Sequence, residues 1–159
     1  PYPGNPLVIA TPGEYETRGV TIRGIPTFHD AQRGRKRGPN VAFRITAEGM
    51  SVAHLGDFGE GTLREETADA LGDVDVLLVP VGGTYTVNGP TAAEVVSQIE
   101  PRLVIPMHYH LAGLRVKLAP VEEFLKAAGS RDAERLEKLS LKKKDLPDAE
   151  TRIVVLTKN

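Results

Sequence analysis

The stretch that decides the fold is residues 74–110, VDVLLVPVGGTYTVNGPTAAEVVSQIEPRLVIPMHYH. Residues 74–81 are nearly all apolar, which is typical of a strand buried on both faces of a sheet. Residues 91–99 begin with a T-x-x-E capping box and then repeat apolar residues at helical spacing. A second apolar strand, residues 103–107, ends at His108. The order strand, helix, strand predicts a layered α/β architecture.

Further strands and helices are predicted on both sides of this stretch. Apolar runs or alternating apolar and polar residues indicate strands, and T-x-x-E at Thr62 indicates a helix start. Glu48-Gly49 lies between two such runs and predicts a hairpin turn, while residues 31–39 form a basic loop rich in Gly and Pro. The predicted strands cover residues 7–10, 20–25, 41–47, 50–55 and 152–157, and the predicted helices run to about Leu71 and from Val121 to Ala128.

The composition excludes several classes of protein. The 159 residues fit one domain, and 40% hydrophobic with 26% charged residues is the balance of an ordinary globular protein. A net charge of −1 argues against nucleic acid as a partner, and no apolar run approaches the ~20 residues that a membrane span needs. There is no Cys, so any metal must be held by His, Asp or Glu.

The first residues are Pro1-Tyr2-Pro3-Gly4, with no Met and no signal-peptide pattern. The expectation from this beginning is a piece of a longer polypeptide, and a cytoplasmic location. We expect residues 1–159 to form a single, partial domain.

Three potential metal ligands follow three separate predicted strands. His29, Asp57 and His108 each come where an apolar run ends. In α/β sheets functional groups gather at strand ends, because a rigid strand aims a side chain that the next loop leaves accessible. His and carboxylate are suitable ligands for zinc, iron or manganese, and a carboxylate has two oxygens with which to bridge two metals. Each residue alone is also explained by a structural role, as a turn former, a helix cap or a packed His.

The order PTFHD at 26–30, VAHLGD at 52–57 and the 74–110 stretch resembles small metal-dependent hydrolases of the metallo-β-lactamase superfamily. The nearest branch in appearance contains the ascorbate-6-phosphate lactonases, and the match covers residues 7–157. The resemblance implies the C-terminal two-thirds of an αββα sandwich. It also implies two divalent metals, Zn in the first place with Mn or Fe as alternatives.

Carried over by this resemblance, His29 belongs to one metal site, Asp57 bridges both metals, and His108 belongs to the second site. The family's leading H-x-H-x-D-H motif has no counterpart, since the His residues are 29, 54, 108 and 110. One His and a bridging Asp per metal fall short of the three or four ligands of ordinary zinc sites. The expectation is therefore a chain that binds metal poorly alone and is inactive without the missing motif.

Substrate contacts are predicted for His110, Tyr85 and Arg35. His110 follows His108 by two residues, Tyr85 stands on a Gly-rich loop, and Arg35 belongs to the basic loop, whose guanidinium groups suit phosphate. The alternative is solvent exposure for His110 and Arg35, and rim packing for Tyr85. We expect His54 to be packed or to act behind the ligands, and the resemblance places Asn40 near the site.

The predicted function is hydrolysis of a lactone, a phosphoester or a related bond by a metal-activated water, with Asp57 and His108 as catalytic residues. The substrate is expected to be a small molecule, with a phosphorylated one among the candidates. A non-catalytic scaffold or subunit is the alternative, and a nuclease-type phosphodiesterase is a further one. The sequence is compatible with a homo-oligomer and does not specify its interface.

Overall fold

The computed structural model of the protein describes residue 4 and residues 6–157, and its framework is one mixed sheet of eight strands. The order across the sheet is β1-β2-β3-β4-β5-β6-β8-β7. The first four strands form an antiparallel meander, and every later pairing is parallel. The strands are β1 Gly13–Thr17, β2 Val20–Phe28, β3 Pro39–Ala47, β4 Met50–His54, β5 Val76–Pro80, β6 Leu103–Met107, β7 Glu134–Leu136 and β8 Arg152–Leu156.

Three helices supply the connections between the parallel strands: α1 Glu65–Leu71, α2 Gly89–Ile99 and α3 Val121–Ala127. Alternate residues of the parallel strands point to opposite faces of the sheet. Leu77 packs in the cluster that contains the buried residues of the helices, whereas Val76 packs in a smaller cluster on the other side. The main core therefore lies between the sheet and its helices, as an α/β fold requires. No helix among residues 6–157 is long and apolar enough to span a membrane.

Most of the strands expected from the sequence are confirmed, and the predicted hairpin at Glu48-Gly49 joins β3 to β4. The predicted strand at residues 7–10 is wrong. Leu7 and Val8 are 72% and 64% exposed, and the free edge of β2 is taken by β1 instead. The reason is the tight turn at Arg18-Gly19, where both residues have positive φ and fold the polar segment β1 directly onto β2.

Both predicted capping boxes are wrong, although the helices they announced exist. Helix α1 begins after Arg64, which makes no side-chain cap, rather than at Thr62. Helix α2 is capped by Asn88, whose Oδ1 accepts a hydrogen bond from the backbone N–H of Thr91 at 3.0 Å. Asn is a better cap than Thr, and Pro90, two residues after Asn88, suits the first turn of a helix.

The buried carboxylate of Asp75, directly before β5, connects distant parts of the chain. Asp75 Oδ2 accepts hydrogen bonds from the Ser51 backbone N–H at 2.9 Å and from Lys143 Nζ at 3.2 Å. Arg102 Nη1 lies 3.6 Å from Oδ1. Burial alone would raise the pKa of Asp75, but the hydrogen bonds from Ser51 and the charge of Lys143 outweigh it and lower the pKa below its usual 3.8.

We expect Asp75→Asn to destabilise the fold by about 1–3 kcal/mol at pH 7, because it leaves buried donors imperfectly paired. A lowered folded-state pKa means that the carboxylate stabilises the protein above pH 4 and loses this effect as the pH falls through the folded pKa. Urea unfolding at pH 7 and pH 3 measures the difference, which should shrink at pH 3. Asp148→Asn is the control, since Asp148 also pairs with Arg102 but is almost fully exposed. An equal loss at both pH values would contradict the expected role of the charge.

Candidate metal centre

His29, Asp57 and His108 lie at the same edge of the sheet, because the strands before them run in the same direction. Strands β2 and β4 are both antiparallel to β3, so they are parallel to each other, and β4, β5 and β6 follow in parallel. Their C-terminal ends therefore meet at one edge. The three side chains line one cleft of about 290 Å³ there.

The three side chains differ in their surroundings. His108 Nδ1 lies 3.3 Å from Asp57 Oδ1, and both side chains are about half exposed, at 43% and 52%. His29 Nε2 is buried and has no hydrogen-bond partner among residues 4 and 6–157. A buried polar atom without a partner is costly, and a ligand atom is a common reason for one. The unpaired nitrogen fits a position from which a metal would be held.

The donor types fit a metal, but their number within the described residues is small. Imidazole nitrogen and carboxylate oxygen are ligands of Zn, Mn and Fe. Within residue 4 and residues 6–157, no three His, Asp or Glu side chains converge closely enough to form a metal-binding group. His29, Asp57 and His108 thus share a cleft without forming a closed set of ligands.

Glycines without room for a side chain bring the backbone of two of these residues close to neighbouring loops. A Cβ on Gly82 would lie 1.9 Å from the carbonyl oxygen of His108, and a Cβ on Gly59 would lie 2.4 Å from that of His29. His108 itself has φ 56°, a left-handed conformation that costs energy for a residue with a side chain. The chain is therefore held in a strained, closely packed form where His108 enters the cleft.

Asn40 fixes the loop that carries Asp57, as the resemblance suggested. Its Nδ2 donates to Thr27 Oγ1 at 2.7 Å and to the Leu55 carbonyl at 2.9 Å, and its Oδ1 accepts from the Asp57 backbone N–H at 3.0 Å. One amide side chain thus connects β2, the end of β4 and the Asp57 backbone. A Cβ on Gly56 would lie 2.7 Å from Asn40 Oδ1, so this packing also requires glycine there.

His54 lies beside the site rather than in the cleft. Its Nδ1 accepts a hydrogen bond from the Gly56 backbone N–H at 3.0 Å. Burial lowers the pKa of His54, the charge of His108 lowers it further, and Asp57 opposes the change. A neutral His54 hydrogen-bonded to the Gly56 amide agrees with the packed role expected from the sequence.

Asp30 was not singled out from the sequence, yet it organises the whole basic loop next to His29. Its carboxylate accepts hydrogen bonds from the backbone N–H groups of Gln32, Gly34, Lys36 and Arg37 at 2.7–3.1 Å. Burial would raise the pKa of Asp30, but these four donors together lower it. The signal in the sequence that could have identified this role of Asp30 is an Asp at the start of a turn directly after a strand.

The three predicted substrate contacts fall in different places. Tyr85 lines the cleft with the three potential ligands. Arg35 is exposed and does not line it, and His110 lines a separate depression with Tyr109 and Arg135. The roles of these three residues in substrate binding stay predictions. Of the three, only Tyr85 has a position in the cleft that favours such a role.

Comparison with known proteins agrees with the fold. The sequence profile of the β-lactamase superfamily domain matches residues 1–108. A candidate zinc-dependent hydrolase of the metallo-β-lactamase superfamily from Thermotoga maritima is 41% identical, with a TM-score of 0.81. The alignment covers 96% of this chain and 73% of that one. The chain belongs to the metallo-β-lactamase superfamily, which confirms the resemblance and the predicted fold class.

Two more relatives carry related descriptions. A metal-dependent hydrolase from Pyrococcus abyssi is 32% identical over 120 residues, which are 75% of this chain and 52% of that protein. The structure of a metallo hydrolase from Ignicoccus hospitalis is 26% identical with a TM-score of 0.58, over 79% of this chain and 54% of that one. The chain spans about half the length of the curated relatives it matches.

Proposed function

We propose that this chain forms part of a metal-dependent hydrolase and contributes His29, Asp57 and His108 to its metal centre. The observation that carries the proposal is their meeting in one cleft, with the His29 Nε2 buried and unpaired. The names of the relatives support the same class, because a metal-dependent hydrolase from Pyrococcus abyssi shares the aligned region.

The metals held there are two divalent ions, Zn in the first place and Mn or Fe as alternatives. When bound, such ions lower the pKa of a water toward neutrality and polarise the oxygen of the bond to be hydrolysed. Asp57 would serve both ions, because a carboxylate has two oxygens, whereas His29 would hold one ion and His108 the other. The Asp57 side chain is half exposed and lines the cleft.

The chain's own residues orient these groups and shape the approach to them. Asn40 holds the Asp57 backbone through its Oδ1, so the carboxylate keeps one direction relative to the cleft. The Tyr85 side chain on the opposite loop can donate a hydrogen bond from its hydroxyl to a substrate oxygen. The bond hydrolysed is that of a lactone, another ester or a phosphoester in a small molecule, and the protein works in the cytoplasm.

We test the ligand assignment by titrating the 159-residue chain with Mn²⁺ and Zn²⁺ and recording the NMR signals of its four His rings. Mn²⁺ broadens nearby protons, so the His29 and His108 signals should disappear first and that of His110, in its separate depression, last. Asp57→Asn should weaken the binding by more than about tenfold, since even residues behind the ligands change metal affinity by that factor.

The control for this titration is His110→Asn, which removes an exposed imidazole outside the cleft and should leave the metal affinity unchanged. Equal broadening of all four rings, or an Asp57→Asn variant that binds as tightly as the parent chain, would contradict the assignment.

A further inference from the structure

The wall of the cleft opposite the potential ligands is apolar. Leu114, Val116 and Leu118 line it, and the residues between them, Arg115 and Lys117, do not. Every second residue of this segment thus contributes an apolar side chain to the lining of the cleft. The sequence LRVKL at 114–118 therefore builds a surface against the site.

This wall segment is fixed to the loop beside His108. The Ala119 backbone N–H donates to the Gly82 carbonyl at 2.8 Å, and Thr84 Oγ1 donates to the Lys117 carbonyl at 2.6 Å. Both bonds join the wall to the loop that follows β5. The position of the apolar side chains relative to His108 is thus set by hydrogen bonds of the backbone of the wall segment to this loop.

Three large apolar or aromatic side chains of the cleft are exposed. The exposed fractions are 45% for Leu114, 41% for Val116 and 49% for Tyr85. A single exposed apolar side chain is ordinary, but a contiguous group beside polar residues is a mark of a binding surface. Their grouping in one cleft with His29 and Asp57 makes substrate the fitting occupant.

The positively charged side chains of the basic loop do not line the cleft. Arg37 Nη2 donates to the Thr84 carbonyl at 2.7 Å, and its guanidinium lies 5.5 Å from the centre of the Tyr85 ring. Arg33 lies in a surface depression with Glu65, Glu66 and Asp69. Of the described residues that line the cleft, none is Lys or Arg. The expectation that this loop delivers a phosphate-binding Arg to the cleft therefore has no support in its geometry.

We propose that the cleft binds a small apolar group of the substrate, an alkyl or aryl substituent next to the hydrolysed bond, against Leu114, Val116 and Leu118. This rests on the proposed function, and it makes an ester or lactone with an apolar substituent the substrate class in place of a phosphorylated one. A volume of about 290 Å³ is at the lower end for small-molecule sites, so the group is small.

The test is an NMR titration of the metal-free, methyl-labelled chain with benzyl acetate. The methyl signals of Leu114, Val116 and Leu118 should shift and saturate, and those of Leu139 and Leu141 on the far face of the sheet should not. Val116→Thr replaces one methyl by a hydroxyl and should weaken the binding about fourfold, the value of one buried methylene. Val8→Thr, at another exposed valine, is the matched control and should have no effect.

Inorganic phosphate is the competing probe. It should leave the three cleft residues unshifted even in Asp57→Asn, where the negative charge that would repel it is gone. Phosphate shifts at these methyl groups, or benzyl acetate binding that Val116→Thr does not change, would overturn the proposal. So would sedimentation showing that the chain self-associates through this wall and that Val116→Thr breaks the association.

The titration needs neither metal nor turnover, so it can fail or succeed independently of the proposed function. A chain that binds benzyl acetate in the cleft but shows no preferential Mn²⁺ broadening at His29 and His108 would keep the apolar site and lose the ligand assignment. A chain that binds Mn²⁺ at His29 and His108 but no benzyl acetate would keep the ligand assignment and lose the apolar site.

Discussion

Asp57→Asn should lower kcat/KM of the metal-loaded, full-length enzyme by at least about 10³-fold, because the proposed metal centre would lose one charged ligand and with it several kcal/mol of stabilisation of the reacting groups. The amide keeps the size of the side chain but cannot act as a charged bridge. The fold should persist, since the Asp57 side chain is half exposed and its backbone N–H still donates to Asn40. Steady-state kinetics with Zn²⁺, Mn²⁺ or Fe²⁺ and an ester substrate measures the loss.

The matched control for this substitution is Asp132→Asn, which removes an exposed carboxylate from the turn before β7. It should retain full activity. Circular dichroism and thermal unfolding of both variants must match the parent protein, so that lost activity is not lost folding. Turnover by Asp57→Asn within tenfold of the parent would show that Asp57 is not a ligand of the reacting metal.

The placement of the potential ligands could be predicted from the sequence because strand ends are determined locally. The apolar runs that become β2, β4 and β6 stop close to His29, Asp57 and His108, and each residue then follows its strand into a loop. A hairpin at Glu48-Gly49 makes β3 reverse the chain, so β2 and β4 run in the same direction. Local patterns therefore bring distant residues to one edge.

Features that depend on a choice between neighbouring partners could not be predicted in this way. Thr91 has the pattern of a cap, but Asn88 three residues earlier caps α2 because its side chain reaches the Thr91 amide. The apolar residues 7–10 read as a strand, yet the turn at Arg18-Gly19 gives that edge to the polar β1. In each case the sequence pattern is suitable, but another part of the chain makes the hydrogen bonds that the pattern predicts.

The conformation of the basic loop beside the cleft was harder to predict than the position of the potential ligands. Asp30 acts through four backbone N–H groups, whose identity does not depend on the side chains of the loop. Arg37 is a residue type that commonly binds anions, but its guanidinium donates a hydrogen bond to the Thr84 carbonyl and lies over the Tyr85 ring. The sequence shows that a charged side chain is present, but only the folded structure shows which residues that side chain contacts.

Gly82→Ala is expected to be the most damaging substitution of a single small residue. The added Cβ would lie 1.9 Å from the carbonyl oxygen of His108, and the nearest neighbours include backbone that cannot rotate away. Gly82 is buried, and its own carbonyl accepts the Ala119 amide, so the loop has little freedom to retreat. We expect a loss of about 3 kcal/mol or more in the free energy of unfolding, and a Tm lower by about 6 °C or more in a chain of this size.

The control is Gly61→Ala, because a Cβ there meets nothing within 4 Å and Gly61 has no positive φ. Removing glycine at such a position should leave the protein as stable or slightly more stable, since it narrows the unfolded ensemble. If Gly82→Ala fails to fold, Gly82→Ser, whose Cβ makes the same clash, should fail too, while Gly61→Ser should fold. A Gly82→Ala protein as stable as Gly61→Ala, with unchanged His108 ring signals, would mean that the close approach of these two loops does not exist.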